Sequence, residues 1–265
     1  MIDASLPIWR LPRKLNKIIT KQSLIGLDSL YQQNIRHGDL YTRNLATMPY
    51  VDNVTEQKFI IMLGKPEIGY VRRSDGKELE PGIPEYIVRP TSFRTHTWKS
   101  AQSVKTIDFG ESFSPTSVPQ TLHTPLAIRA PEVIFQHFID HRVDLWSIGC
   151  MLFELFVKQP LFDTFLITPK TLVGQMQEMA SDELPERWHE TWDTMKNARD
   201  GRTIESTGYN LQEWLDELYF DGSQSTDLTR EDIASLGQII GKLLQFEPLA
   251  RASARKVLDD PWFNE

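Results

Sequence analysis

The sequence predicts a mainly α fold with a small β component. Three observations carry this expectation. Leu15, Ile18, Ile19, Leu24, Leu27, Leu30 and Tyr31 recur at helical spacing. Val143 to Phe156 is apolar almost all round, as suits a helix running through the middle of a core. Only one run, Val104-Lys105-Thr106-Ile107, reads as a short strand.

Taken in order, Arg13 to Gln33 is predicted as an amphipathic helix that runs directly into a loop at His37. From Thr47 to Ser103 turn formers dominate. Pro49, Pro66, Pro81, Pro84 and Pro90 break any long element, and Ser74-Asp75-Gly76 reads as a turn. A structureless loop of that length is unusual in a compact domain, so residues 47–103 are expected to be an insertion with some structure of their own. Further helices are expected at Lys170–Ala180, Leu211–Tyr219, Arg230–Leu244 and Ala252–Leu258, with Thr229 and Ser253 as caps. There is no internal repeat and no low-complexity tract.

Bulk properties narrow the function classes. A compact chain of 265 residues buries about 75% of its unfolded surface and needs no staples. Cys150 is the single cysteine, so no internal disulfide forms and a reducing, intracellular compartment (cytoplasm or nucleus) is expected. Met1 to Pro12 lacks the apolar core of a signal peptide. The most apolar stretch, Ile148 to Val157, is interrupted by Glu154 and is too short to span a bilayer. A net charge of −7 argues against nucleic acid as the main partner and is compatible with a basic protein substrate. The six histidines are scattered without zinc-ligand spacing.

The chemistry concentrates in His37-Gly38-Asp39-Leu40-Tyr41-Thr42-Arg43-Asn44. It spaces an acid, a cation and an amide as phosphoryl transfer from ATP requires. Asp39 can accept a hydroxyl proton, Asn44 can hold a metal ion, and Arg43 can steady a phosphate. Alone, an aspartate in such a loop is usually a cap or a solvated turn residue. Four further motifs follow in order: Asp108-Phe109-Gly110, Ala130-Pro131-Glu132, Asp144-Leu145-Trp146-Ser147-Ile148-Gly149-Cys150, and Phe246-Glu247-Pro248 with Arg251 and a closing Pro261-Trp262-Phe263.

The series resembles protein kinases. The resemblance covers nearly the whole chain, 1–265, but only the family's helical C-terminal (large) lobe. Ile128-Arg129-Ala130-Pro131-Glu132 is similar to the corresponding run of the CMGC group, and the insertion looks most like SR-protein kinases. The resemblance implies ATP and Mg2+ as cofactors and a protein, Arg/Ser-rich, as substrate. It implies that Asp39 is the general base, that Asn44 and Asp108 hold magnesium, and that Arg43 neutralises transferring charge. Ala46 and Ile107 would floor the adenine site. Glu132 would pair with Arg251, Asp144 would hold the loop backbone, and His37 would stack on Phe109. An acidic segment, 205–232, would dock Arg-rich substrates; its plainer reading is a solvated face.

Two departures stand out. No G-x-G-x-x-G loop, V-A-I-K lysine or partner glutamate precedes His37, so the family's N-terminal lobe is expected to be absent, through a fragmentary gene model or a truncated pseudokinase. Phosphoryl transfer would then be weak, and the cleft floor would be apolar, association-prone and covered by a partner. Gly38 also stands where the family has Arg. Phosphates on Ser112, Ser114, Thr116, Ser117, Thr121 or Thr124 would then not be read by that route. Three functions compete: an SR-type protein serine/threonine kinase, a non-catalytic binding module, and a small-molecule phosphotransferase. His37-Gly38-Asp39-Leu40 also resembles aminoglycoside and choline kinases, but those lack the Ala-Pro-Glu, Asp-x-Trp-Ser and Arg251 motifs.

Overall fold

A computed structural model describes residues 11–48, 54–89, 103–163, 165, 167–198, 208–221 and 227–263. Most of Met1–Pro12 lies outside them. In chain order the elements are α1 (Arg13–Gln32), β1 (Leu45–Met48), α2 (Glu56–Leu63), β2 (Ile68–Tyr70), β3 (Tyr86–Val88) and β4 (Ser103–Thr106). The helices α3 (Pro131–Ile134), α4 (Arg142–Val157), α5 (Pro169–Met179), α6 (His189–Asn197), α7 (Leu211–Phe220), α8 (Arg230–Gly241) and α9 (Ala254–Leu258) follow. The chain divides into two compact units, Met1–Ala46 with Val104–Glu265, and Thr47–Ser103.

The larger unit is built on α4. Every residue of this helix except Arg142 and Glu154 is buried. Trp146, Met151, Leu152 and Phe153 are fully enclosed, and each such side chain contributes roughly 1.5–3 kcal/mol of burial energy. Gly149 lets this helix approach the turn after α8: a Cβ there would meet Leu244 Cδ2 at 2.9 Å. Helix α1 buries Leu15, Ile19, Leu24 and Leu27 and packs on α9 and α4. It ends where Asn34 turns to φ 58° and the Ile35 amide closes back onto Leu30 O at 2.9 Å. β1 and β4 form a two-stranded sheet.

Boundaries differ from the sequence expectation where hydrogen bonding decides. Helix α8 stops at Gly241 rather than Leu244, because both the Leu243 and Leu244 amides turn onto Ile240 O. Just beyond, the Phe246 and Glu247 amides donate to the Asp182 carboxylate at 2.6 and 2.9 Å. Helix α9 starts at Ala254 because Ser253 caps it, its hydroxyl accepting from the Lys256 amide at 3.2 Å. Helix α6 was not anticipated. Trp192 is its one buried residue, so it carries no apolar periodicity to read.

In the smaller unit, Thr55 caps α2, which ends at Gly64 with φ 77°. β2 and β3 pair antiparallel with Ile68 opposite Val88 and Tyr70 opposite Tyr86. Arg73 fastens the connecting loop by ion pairs to Asp75 at 2.9 Å and Glu80 at 2.6 Å.

Candidate active site

The loop after α1 hangs on the core helix. Arg36 and Phe113 exchange backbone hydrogen bonds of 2.9 and 3.0 Å, which fixes the chain just before His37. The amides of His37 and Gly38 then donate to Asp144 Oδ2 and Oδ1 at 2.9 and 2.8 Å. Asp144 lies in the first turn of α4 and is buried. The Tyr31 hydroxyl donates to the His141 carbonyl at 2.8 Å and reaches Asp144 Oδ2 at 3.5 Å. A carboxylate thus supplies both acceptors for two adjacent buried amides, the arrangement that makes charge-assisted bonds strong.

Burial pushes the Asp144 carboxyl up to about 6 from its ordinary 3.8, against the pull of the Gly38 and His37 amides. Folded Asp144 therefore keeps its proton to a higher pH than unfolded Asp144. Its contribution to stability is largest below about pH 4 and is lost as pH rises through about 6. The stability of the wild type relative to Asp144→Asn is expected to rise by up to about 3 kcal/mol between about pH 7.5 and pH 4. Denaturant titrations of both proteins at the two pH values check this; a difference that stays constant contradicts it.

His37 is fully buried. Its Nε2–H donates to Ile107 O at 3.1 Å, and its Nδ1 accepts from the Asp39 amide at 3.2 Å. These bonds select the neutral Nε2–H tautomer, and burial pushes the imidazole below its ordinary pKa. Its ring lies 5.0 Å from that of Phe109, tilted by 51°. Phe109 itself is 43% exposed.

Asp39 and Asn44 face each other. The Asn44 amide nitrogen donates to the Asp39 carbonyl at 2.8 Å and to Asp39 Oδ2 at 3.0 Å. The other carboxylate oxygen, Asp39 Oδ1, is buried without a hydrogen-bond partner among the described residues. The Asp39 carboxyl is held above its usual range, first by burial and then by the charges of Asp108 and Glu111; the Asn44 bond opposes them. The Ile107 amide donates to the Asn44 carbonyl at 2.9 Å, which brings Asp108 to the loop. Asp108 adopts φ 65°, a left-handed backbone for a non-glycine residue. Ala46 and Ile107 are half-buried, and Arg43 is exposed in the turn Thr42–Asn44.

The donor chemistry fits magnesium. Asn44's nitrogen is committed to Asp39, so its amide oxygen is the atom left for a cation, and Asp108 offers an exposed carboxylate. Magnesium in nucleotide sites takes one or two protein oxygens and completes its shell with phosphates and water. Among the described residues no group of three or more His, Cys, Asp or Glu is gathered for a metal.

Farther out, Arg251 Nη1 and Nη2 donate to Glu132 Oε1 and Oε2, both at 2.7 Å. Arg251 also bonds the carbonyls of Gln245 and Arg142 at 2.8 Å each. The acidic segment is partly spent on structure. Glu213 and Asp232 complete capping boxes with Asn210 and Thr229, and Asp232 pairs with Arg13 at 3.2 Å. Asp227 accepts from the Tyr219 hydroxyl at 2.9 Å. Asp216, Glu217 and Glu231 remain at least partly exposed; Glu205 and residues 222–226 lie outside the described residues.

Several contributors were not visible in the sequence. Thr124, considered as a phosphate acceptor, is 3% exposed. Its hydroxyl donates to the Gly38 carbonyl at 3.1 Å, and Arg129 holds the Thr124 carbonyl at 3.1 and 2.6 Å. In this conformation it is a strut between segment and loop. Glu111 takes the His123 amide and ring at 3.1 and 3.0 Å. Gly38 has φ 78°, and a Cβ there would lie 2.5 Å from the Glu111 carbonyl oxygen. The loop is thus shaped for glycine where the family resemblance would place Arg. Gly38→Ala is expected to cost about 1–2 kcal/mol from the left-handed backbone alone, with displacement of Glu111 on top. A chemical denaturation midpoint equal to that of the wild type would count against this.

A family model described as Protein kinase domain matches residues 97–263, more than half of the chain. The chain is similar to serine/threonine-protein kinase AFC3 of Arabidopsis thaliana, 32% identical over 75% of this chain and 50% of that protein. It is also similar to serine/threonine-protein kinase Doa of Drosophila melanogaster (29% identical, 61% of this chain and 20% of that protein). Dual specificity protein kinase CLK1 of Homo sapiens is 26% identical over 61% of this chain and 33% of that protein. The chain therefore spans half or less of the length of these relatives. A solved structure of a kinase domain superposes with a TM-score of 0.61, covering 96% of this chain and 67% of that one at 19% identity, which concerns the fold alone.

Proposed function

The chain belongs to the protein kinase domain family, with relatives in its CMGC group, and on that premise we propose that it serves phosphoryl transfer from ATP to serine or threonine hydroxyls of a protein. One observation carries the reading. Asp39 is half-buried beside Asp108, is tethered by Asn44 through Oδ2, and keeps Oδ1 without a hydrogen-bond partner among the described residues. The Asp39 carboxylate is the group assigned to accept a hydroxyl proton. As the O–H bond breaks, the substrate oxygen bonds the γ-phosphorus, the bond to the β–γ bridging oxygen breaks, and ADP leaves. Asn44 and Asp108 would hold magnesium, which would supply neutralisation of phosphate charge. Arg43 lies on the same turn to approach the transferred group, and Ala46 and Ile107 form the adenine floor.

The substrate class proposed is Arg/Ser-rich protein; similarity to relatives named as serine/threonine and dual specificity kinases supports a protein hydroxyl as the acceptor. Asp216, Glu217 and Glu231 provide the acidic surface. The 265 residues hold no Gly-rich phosphate loop and no lysine strand, so transfer by these residues alone is expected to be slow. Losing one preorganised donor costs about 10²–10³ in rate. A second reading is a binding module without catalysis. Incubation with ATP, Mg2+ and an Arg-Ser peptide, with protein in excess, separates the two. Slow peptide phosphorylation supports the kinase; ATP binding with no transfer supports the module. If charge reversal at Asp216 and Glu217 leaves Arg-Ser peptide binding unchanged at low salt, the acidic dock is wrong.

A further inference from the structure

Two cavities against α1 meet at Lys21. One, of 690 Å³, lies against Lys14, Lys17, Ile18 and Phe263. The other, of 340 Å³, lies against Ile25, Arg255 and Leu258. Positions 14, 18, 21 and 25 follow one helical stripe, so the cavities form one groove between α1 and the C-terminal α9 with its following turn. Both volumes fall in the range of ligand clefts.

The groove has a basic rim and an apolar floor. Its lining includes five bases (Arg13, Lys14, Lys17, Lys21, Arg255) against two acids (Asp227, Asp259), in a chain whose net charge is −7. Arg13 is neutralised by Asp232 and Asp227 is tied to Tyr219, whereas Lys14, Lys21 and Arg255 are exposed. Lys17 is fastened below them, its ammonium donating to Trp262 O at 2.7 Å and lying 4.2 Å from the Trp262 ring centroid. Between the charges Ile25 is 47% exposed, and Ile18 and Leu258 are half-buried. A local positive field on an acidic protein selects for negative partners, and the spaced apolar positions select for side chains on one face of a helix.

We propose that this groove docks an acidic amphipathic peptide segment of a partner protein, with apolar anchors about one helical turn apart. The site is separate from the candidate active site and does not depend on the kinase reading. The test uses the full chain and a fluorescein-labelled Glu/Asp-rich helical peptide carrying two Leu anchors four residues apart, titrated by fluorescence anisotropy. Lys14→Glu with Lys21→Glu is expected to weaken binding about tenfold or more, and so is replacing both Leu anchors with Ala. Circular dichroism melting of the variant confirms its fold, and Ile25→Ala, which keeps every charge, is expected to weaken the Leu peptide and leave the Ala peptide unchanged. Three results overturn the proposal: no binding, binding indifferent to charge reversal, or binding equal for the Ala peptide and for a single-stranded oligonucleotide. The last would mark a general polyanion surface.

Discussion

Arg251→Met is expected to destabilise the chain by about 3–5 kcal/mol, because it strands a buried carboxylate. Glu132 and Arg251 are almost completely enclosed, with side-chain exposures of 1% and 0%. The guanidinium also holds the carbonyls of Gln245 and Arg142 and lies 5.3 Å from the Trp146 ring centroid. It thereby links α3, the start of α4 and the turn after α8. Removing it leaves the Glu132 charge and those carbonyls without their donor. The double substitution Glu132→Gln with Arg251→Met is expected to recover part of the loss, since the stranded charge goes too. Denaturant titration of the two single variants and the double variant gives the coupling directly. Equal and additive losses would mean that the pair contributes nothing beyond packing.

Asp39→Asn is expected to reduce phosphoryl transfer by about 10²–10⁴, the usual contribution of a general base. The substitution keeps the side chain's size and an oxygen that can accept from Asn44, but removes the proton acceptor. Burial and the charges of Asp108 and Glu111 disfavour the ionised form of Asp39, so the neutral amide is expected to leave thermal stability unchanged or raised. The readout is single-turnover transfer of labelled phosphate to an Arg-Ser peptide, alongside the melting temperature. Undiminished transfer with a normal melt would remove Asp39 from the mechanism. Loss of transfer together with collapse of the melt would assign it a structural role.

What could be read in the sequence follows from the range of the interactions. Helices α1 and α4 were legible because their apolar residues repeat locally, and Ser253 and Thr229 because caps act within one turn. Asp39, Asn44, Asp108, Asp144, Glu132 and Arg251 were singled out by motif order, and the structure sets Asn44 against Asp39, Asp144 under the loop and Arg251 on Glu132. Their chemical roles stand as the proposal. Thr124, Glu111 and Tyr31 were missed as struts. Their partners are remote in sequence or backbone atoms of loops, and no periodicity reports such contacts. Within the acidic residues 205–232, composition does not reveal that Glu213, Asp227 and Asp232 are turned to caps and bridges.

The most direct test of the account is the magnesium dependence of ATP binding, measured by isothermal titration calorimetry on the full chain. ATP affinity is expected to rise when Mg2+ is added, and Asp108→Asn with Asn44→Ala is expected to abolish the rise while the fold persists. ATP affinity that is the same with and without Mg2+, or a magnesium effect that survives loss of both residues, would contradict it.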